Sequence, residues 1–554
     1  MRIDKLVTFL LLLIVSNAFG QCGETGYFHL NYHGIIDEFE TDNSNHVIAA
    51  VRIQNSTTLV KTDDARNILQ ELDMGDINSW AQVRDITIDS EDNIYICGTF
   101  QANIYFGPGY SYAGPGGFVA KLNTDFQVQW VKLSQNAYPK AITIDSNNGL
   151  YVGFSAGPTF IFQGQTYSAP ASGYYVCLFK LNASNGVPQW NKKQRYDGSV
   201  FEAVYRLETS DEFGVYEVVN FDEFFLDEFG VYYEGTNEGG YHELNSMICY
   251  YDSQGNRAWI KQMFHGEPMA TGKTFNGNVA LYCDMDEYLS VGTDSIYSYY
   301  RKSSGYVEYN PSGDLIRMER IVSSLLPNDM SSDICGIDCL PDGGFIVSGR
   351  SQRNVNFNGL VDSANYASGY HPYFIARYDS ICTPVWAHTF GEGDSLSGMT
   401  DVGIRIMNDC SVYFAGDAWE KFRYDANNGD TIPMTRILFL LEFDLETGVL
   451  ATDSTLHGGG NSTDDPFGPN GVGLDELSHE NLAVFPNPVS TVLTLKTKGT
   501  DLFKWEIHNE MGQKLIEGEA YGSSEIDMSN LPSGLYVMKI SNDQNALTKK
   551  ISKY

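Results

Sequence analysis

The chain has 554 residues and a formal net charge of −34, with 13% aromatic residues, 35 tyrosines and 54 glycines. So acidic a surface repels phosphate backbones and anionic bilayers, which excludes nucleic acid and acidic membranes as natural partners and favours cations or basic partners. Strand and turn residues dominate, long helical periodicities are absent, and the chain reads as all-β.

Residues 1–20 have the form of a secretory signal peptide. Arg2 and Lys5 precede an apolar run from Leu6 to Val15, and Ala18 and Gly20 are small residues before the expected cut after Gly20. The run is too short to span a bilayer, which takes about 20 apolar residues. Gln21 before Cys22 argues against lipidation at that cysteine.

From residue 21 to 456 one pattern returns. Its clearest copy is 84–132: Ile86-Thr87-Ile88, a turn cluster Asp89 to Asn93, Ile94 to Gly98, a Gly-rich loop, then Phe118 to Leu122 and Val128 to Val131 around Asn123-Thr124-Asp125. That is four short antiparallel strands. The first hairpin recurs at 141–154, 203–219, 278–293, 334–349 and 402–416, with a diverged copy at 35–51. In the second hairpin an Asn or Asp precedes a Trp by seven residues in Asn123/Trp130, Asp252/Trp259 and Asp379/Trp386, and by eight in Asn182/Trp190. A single four-stranded sheet cannot cover both faces, so identical neighbours must do so. Repeats at roughly 50 to 70 residues, four strands each, predict a seven-bladed β-propeller rather than a solenoid or a sandwich array. The first copy lacks the Trp and the fifth has Arg317 in its place, so those two blades are expected to be irregular.

Nine cysteines follow the leader. Cys97, Cys177, Cys249 and Cys283 fall within strands as small apolar residues, and Cys339 with Cys382 is the one pairing the turns suggest. Cofactor chemistry finds little foothold. Gly266 to Thr274 has one residue too many for a phosphate-binding loop, and Gly393-Asp394-Ser395-Leu396 lacks the strand-to-helix setting of a nucleophilic serine. The acidic clusters Asp222-Glu223 with Asp227-Glu228, and Asp464-Asp465 with Asp475-Glu476, could hold Ca²⁺ but lack a loop of calcium-binding spacing, so solvated turns are the expectation and no cofactor is assigned. Carboxylate pairs for glycoside chemistry would come from different blades and cannot be found by spacing.

Residues 457–477 are Gly-, Pro- and Asp-rich, a flexible linker. The remaining 77 residues carry eight lysines against nine carboxylates, so the acidity lies before them. Between 478 and 554, short alternating runs separated by Asn, Gly and Pro predict a small Ig-like β-sandwich.

Two resemblances arise from these residues. Pro486-Asn487-Pro488, the turn at Gly512, Leu531-Pro532-Ser533-Gly534-Leu535-Tyr536 and the basic end at Lys550 closely resemble the C-terminal sorting domain of type IX secretion cargo, also called the Por secretion tail. The resemblance implies export across the outer membrane of a Gram-negative bacterium, the secretion machinery as partner, a surface or secreted location, and Pro486, Asn487, Pro488, Gly512, Pro532, Gly534, Tyr536 and Lys550 as the sorting-signal positions. The repeats in turn resemble those of secreted bacterial propellers, through the loops Ile104 to Gly107, Phe160 to Gly164 and Val355 to Gly359. That family implies surface binding and no single activity. The expectation is a binding or adhesion module for an extracellular glycan or protein, more a binder than an enzyme. The alternative is a polysaccharide-degrading hydrolase or lyase on the same scaffold.

Overall fold

The computed structural model describes residues 28–30, 34–448 and 482–553 apart from short internal segments. The leader, the linker and the Gly393 to Leu396 block lie outside the described residues. Two compact units emerge, one ending at Leu456 and the other beginning at His457. Every described regular element is a strand.

In the larger unit the strand pairing repeats a four-stranded antiparallel meander. The first comprises Gly34–Thr41, Val47–Ile53, Ser56–Thr62 and Ile68–Asp73, in that order. Two strands of 17 residues, Val128–Ile144 and Arg257–Lys273, each end one meander and begin the next. Register shifts at Gln135/Ala137 and Phe264/Gly266 bend them at the passage. The Gly266 to Lys273 stretch lies wholly in such a strand, so it forms no phosphate cradle. The first strand of each meander touches the first strand of the next, and the last of them, Ile404–Met407, returns to Gly34–Thr41. Among the described residues no sheet closes on itself through hydrogen bonds.

The last meander takes its outermost strand from the other end of the chain. Phe28–Leu30 pairs antiparallel with Leu438 to Leu440, His29 facing Phe439. A linear repeat pattern cannot show a strand supplied across some 400 residues.

Two kinds of link join neighbours. A short hairpin between the second and third strands of a meander reaches back to the outermost strand of the preceding one: Ile104 to Gly75, Phe162 to Ser134, Leu226 to Arg195, Val291 to Met263 and Asn356 to Ser323. The Ile104, Phe160 and Val355 loops of the sequence pattern are parts of these clasps. Forward links come from the tryptophans. Trp130 Nε1 donates to Ala183 O (3.1 Å), Trp190 to Ser253 O (3.2 Å), Trp259 to Pro311 O (2.8 Å) and Trp386 to Leu445 O (3.0 Å), each acceptor lying in the next meander.

The indole also explains the turn residue beneath it. Gly186, Gly255, Gly313 and Gly448 have φ between +68° and +85°, and a Cβ on any of them would fall within 3.1 Å of the tryptophan ring behind it. Where the preceding meander has no tryptophan the same turn position is Phe126 or Cys382, each also at positive φ. Arg317, expected to mark an irregular repeat, does the tryptophan's work: its Nη1 donates to Ser380 O at 2.6 Å, and its guanidinium lies over Tyr306. A planar cation with several donors reaches the corresponding carbonyl, so the turn end of the fifth meander matches the others, while an additional register shift at Ser304/Gly305 makes its last strand pair irregular.

Gly255→Ala is accordingly expected to destabilise by about 1–3 kcal/mol, from positive φ and the collision with Trp190. Gly292→Ala, at φ +60° with open space around it, should show only the backbone part, about 1 kcal/mol. Urea unfolding of both variants checks the difference.

Cys339 and Cys382 are thiols, not a disulfide. Cys339 lies on the first strand of its meander and Cys382 in the turn after the third, so the second strand stands between them. At about 4.8 Å per strand the separation exceeds what a disulfide spans.

The C-terminal unit has two sheets, Leu482–Phe485 with Val492–Thr497 and Ser523–Asp527, and Lys514–Ala520 with Phe503–Asn509, Gly534–Ser541 and Ala546–Lys553. Leu493, Leu495 and Ile526 of the first meet Ile507, Met538, Ile540 and Ile551 of the second in one core.

Candidate functional site

The first strands break the apolar rule of the strands behind them. They carry Asp37, Glu38 and Glu40, then Arg84 and Asp85, Lys140, Arg206 and Glu208, Asp338 and Arg405. Because these strands touch in sequence and return to the start, residues hundreds of positions apart meet. Glu38 lies in the field of both Arg405 and Arg206, and Glu208 in that of Lys273, Arg405 and Asp338.

Several of these groups fasten one first strand to the next. Asp85 accepts from Ile86 N (2.8 Å) and, with its other oxygen, from Ile142 N (2.7 Å) of the following strand. Asp338 repeats the arrangement with Cys339 N (2.9 Å) and Ile406 N (2.8 Å). Arg206 Nε donates to Met269 O at 3.0 Å. Arg405 Nε donates to Glu40 Oε1 at 2.9 Å, joining the last first-strand to the first. Asp37 accepts from Arg52 Nε through both oxygens.

Most of these side chains are half-buried, whereas the Asp37 side chain is only 1% exposed and Arg84 is exposed. Burial raises Glu38 and Glu208 to about 7 and Asp37 to about 6, against the pull of nearby arginines. It also lifts Asp85 and Asp338, and lowers Lys140 to about 8 with help from Arg84. Arg405 is held above its ordinary value, since Glu40, Asp338 and Glu38 outweigh its own burial. Glu38 and Glu208, at about 7, change charge near neutral pH.

The sign for stability follows from proton binding. Asp37, Glu38 and Glu208 have folded values above their unfolded ones, so between about pH 4.5 and 7 the native state binds more protons than the unfolded chain. Stability should rise as pH falls from 8 to 5.5. Lys140 acts with the opposite sign above pH 8, and Asp42 and Asp252, held low, act below that window. A thermal midpoint several degrees higher at pH 5.5 is the expected result, read by calorimetry.

Other sequence candidates fall elsewhere. Asp227 and Glu228 each pair with Arg257 Nη1, at 2.8 and 2.9 Å, so their charge is already engaged. Asp222 and the Asp464, Asp465, Asp475 and Glu476 group lie outside the described residues. Nine tyrosines among the described residues are fully interior: Tyr95, Tyr151, Tyr216, Tyr251, Tyr282, Tyr306, Tyr309, Tyr373 and Tyr378 are all less than 2% exposed. Tyr95 and Tyr151 donate to Asp89 and Asp145, each at 3.0 Å, so the phenol braces the turn ahead of it. The repeated Asp-x5-Tyr spacing carried that signal.

In the C-terminal unit Tyr536 is buried, and its hydroxyl donates to Pro532 O at 2.6 Å, tying the turn to the strand. Gly534 opens that strand, and no atom lies within 4 Å of where its Cβ would stand. Lys550 pairs in register with Val537. Pro486, Asn487, Pro488, Gly512 and Gly20 lie outside the described residues. No helix among the described residues is long and apolar enough to cross a membrane.

No curated protein matches the chain. Among solved structures, a protein of unknown function from Dyadobacter fermentans is 7% identical over 75% of this chain and 99% of its own, with a TM-score of 0.31. The extracellular domain of BT4673 from B. thetaiotaomicron is 9% identical over 96% and 98%, with a TM-score of 0.15. Drosophila Plexin A, in its complex with Semaphorin 1b, is 9% identical over 59% and 86%, with a TM-score of 0.26. Likenesses this weak carry no argument. The secretion system C-terminal sorting domain family matches residues 483–553. The chain therefore ends in a secretion system C-terminal sorting domain, and is a protein that a Gram-negative bacterium passes through type IX machinery to its surface or beyond.

Proposed function

We propose that the exported chain is a seven-bladed β-propeller followed by an Ig-like sorting domain, and that it works as a binding or adhesion module for an extracellular glycan or protein. In this reading residues 1–20 are a cleaved leader, 21–456 the propeller, 457–477 a linker and 478–554 the export address. The contact of Ile404–Met407 with Gly34–Thr41 supports the ring, as does the strand lent by Phe28–Leu30.

The observation that carries the binding role is how the central carboxylates are used. Asp85 and Asp338 each give both oxygens to backbone N–H groups, and Glu40 is occupied by Arg405, so the charges there fasten strands together. A rigid ring with loops from every blade then offers surface rather than chemistry. Mature protein passed over arrays of glycans and extracellular proteins should bind without shortening any glycan. Release of reducing ends, abolished in the E38Q/E208Q double variant, would replace this reading with an enzyme.

A further inference from the structure

The hexapeptide Asp-Glu-Phe-Gly-Val-Tyr occurs twice, at 211–216 and 227–232. Val215 and Tyr216 of the first copy and Tyr232 of the second lie in strands, yet the surroundings differ completely. Val215 and Tyr216 of the first copy are 0% exposed, on a strand flanked by Tyr205–Thr209 on one side and Asn245–Tyr251 on the other. Val231 and Tyr232 of the second are 48% and 58% exposed, with Phe229 at 69%. Their strand, Tyr232–Glu234, pairs with Phe224–Leu226 and is the terminal strand of its sheet among the described residues.

The exposed copy is held firmly. Asp227 Oδ1 accepts from Phe229 N (2.9 Å) and Val231 N (2.8 Å), and Gly230 turns the chain at φ +80°. Arg257 pairs with Asp227 and Glu228 and lies 4.8 Å from the Phe229 ring centre. Tyr232 stacks on Phe224 at 5.7 Å, and Arg195 covers Phe224 from 5.3 Å. A fixed apolar tip on an acidic protein costs solvation free energy, while the ordering cost of binding has already been met.

We infer that the hairpin 224–234 is a docking edge for an extended polypeptide strand of a basic partner, alternating apolar side chains with lysine or arginine at one end. The first hexapeptide copy supplies the pattern for the missing neighbour: Val215 faces Tyr251 and Tyr216 faces Tyr250 on an adjoining antiparallel strand. Strand addition at this edge supplies backbone hydrogen bonds at the groups other than Glu234 O, which already accepts from Gln262 Nε2 at 2.7 Å, and alternate side chains meet the exposed rings. Exposed Glu223 and Glu234 stand together at the base of the hairpin, at one end of the edge strand, which sets the preference for a basic residue at that end of the partner. This rests on the binding role proposed above and names its surface.

The probe is a labelled peptide copying Asn245–Tyr251 with two lysines added at each end, titrated into the full mature chain by fluorescence anisotropy. Saturable binding is expected, weakened about tenfold or more in F229S/Y232S and unchanged in F275S, which alters an exposed ring on another turn. Equal thermal midpoints of the variants confirm that folding is intact. Absence of peptide binding, equal binding by F229S/Y232S, or F229S-sensitive binding of a neutral oligosaccharide in place of the peptide would each overturn the inference. If the array partners of the mature protein still bind F229S/Y232S as well as the parent, the docking edge alone fails and the binding role stands.

Discussion

A chain ending at residue 477 is expected to stay in the periplasm, with no protein at the cell surface or in the medium. The sorting family matches 483–553, the far end of the second compact unit. The larger unit has its own cores, each formed by neighbouring meanders, and the sorting unit has a separate one built from Leu493, Ile507, Tyr536 and Met538. Removing the second should therefore leave the first folded but without its export address. Protease protection in intact cells, compared with fractionated periplasm, reads the outcome. An all-or-none loss of surface signal with undiminished total protein is the result expected, and surface display of the truncated chain would contradict the assignment.

The second large effect belongs to Arg405→Met. Arg405 is the cation at the join between the last first-strand and the first, in the field of Glu40, Asp338 and Glu38. Removing one partner of a buried pair costs about 3–5 kcal/mol because the other charge is left uncompensated. Arg405 and Glu40 are 26% and 23% exposed, so water recovers part of that and the low end, about 3 kcal/mol, is expected. Adding Glu40→Gln should restore some of the loss by removing one stranded carboxylate, while Glu38 and Asp338 keep the rest. Acidification should restore more, since Glu38 sits at about 7 and is readily neutralised. A loss below about 1 kcal/mol, as for a surface pair, would mean that the join does not depend on this arginine.

Local order was legible in the sequence to the extent that it is local. Alternation and Asn/Asp turns placed the hairpins, because strand and turn chemistry act within a few residues. The interval from Asn123 to Trp130 and its counterparts was visible as a spacing, but its cause was not: each indole answers to a glycine in the next repeat, 54 to 65 positions away. Arg317 shows the limit most clearly. By residue type it breaks the pattern; by geometry it makes the same bond to the following turn.

The central charge cluster was unreadable for the same reason. Glu38, Asp85, Arg206, Asp338 and Arg405 come from different repeats, and only the return of the last first-strand to the first brings them together. The hexapeptide at 211 and 227 makes the point with identical residues: its tyrosine lies in a strand in both, while position alone decides that Tyr216 is core and Tyr232 is surface.

The account as a whole depends on a ring closed by a strand from the chain's beginning. His29 and Phe439 are register partners in that closure. Antiparallel partners lie within about 4.5–5.5 Å between Cα atoms, inside the range a disulfide spans. The decisive measurement is oxidation of the full chain carrying His29→Cys and Phe439→Cys, followed by non-reducing electrophoresis and mass spectrometry of the linked peptides. The account predicts an intramolecular 29–439 bridge that forms in the folded protein and raises its unfolding midpoint. Thiols that remain unjoined in the folded chain, or that join only between molecules, would contradict it.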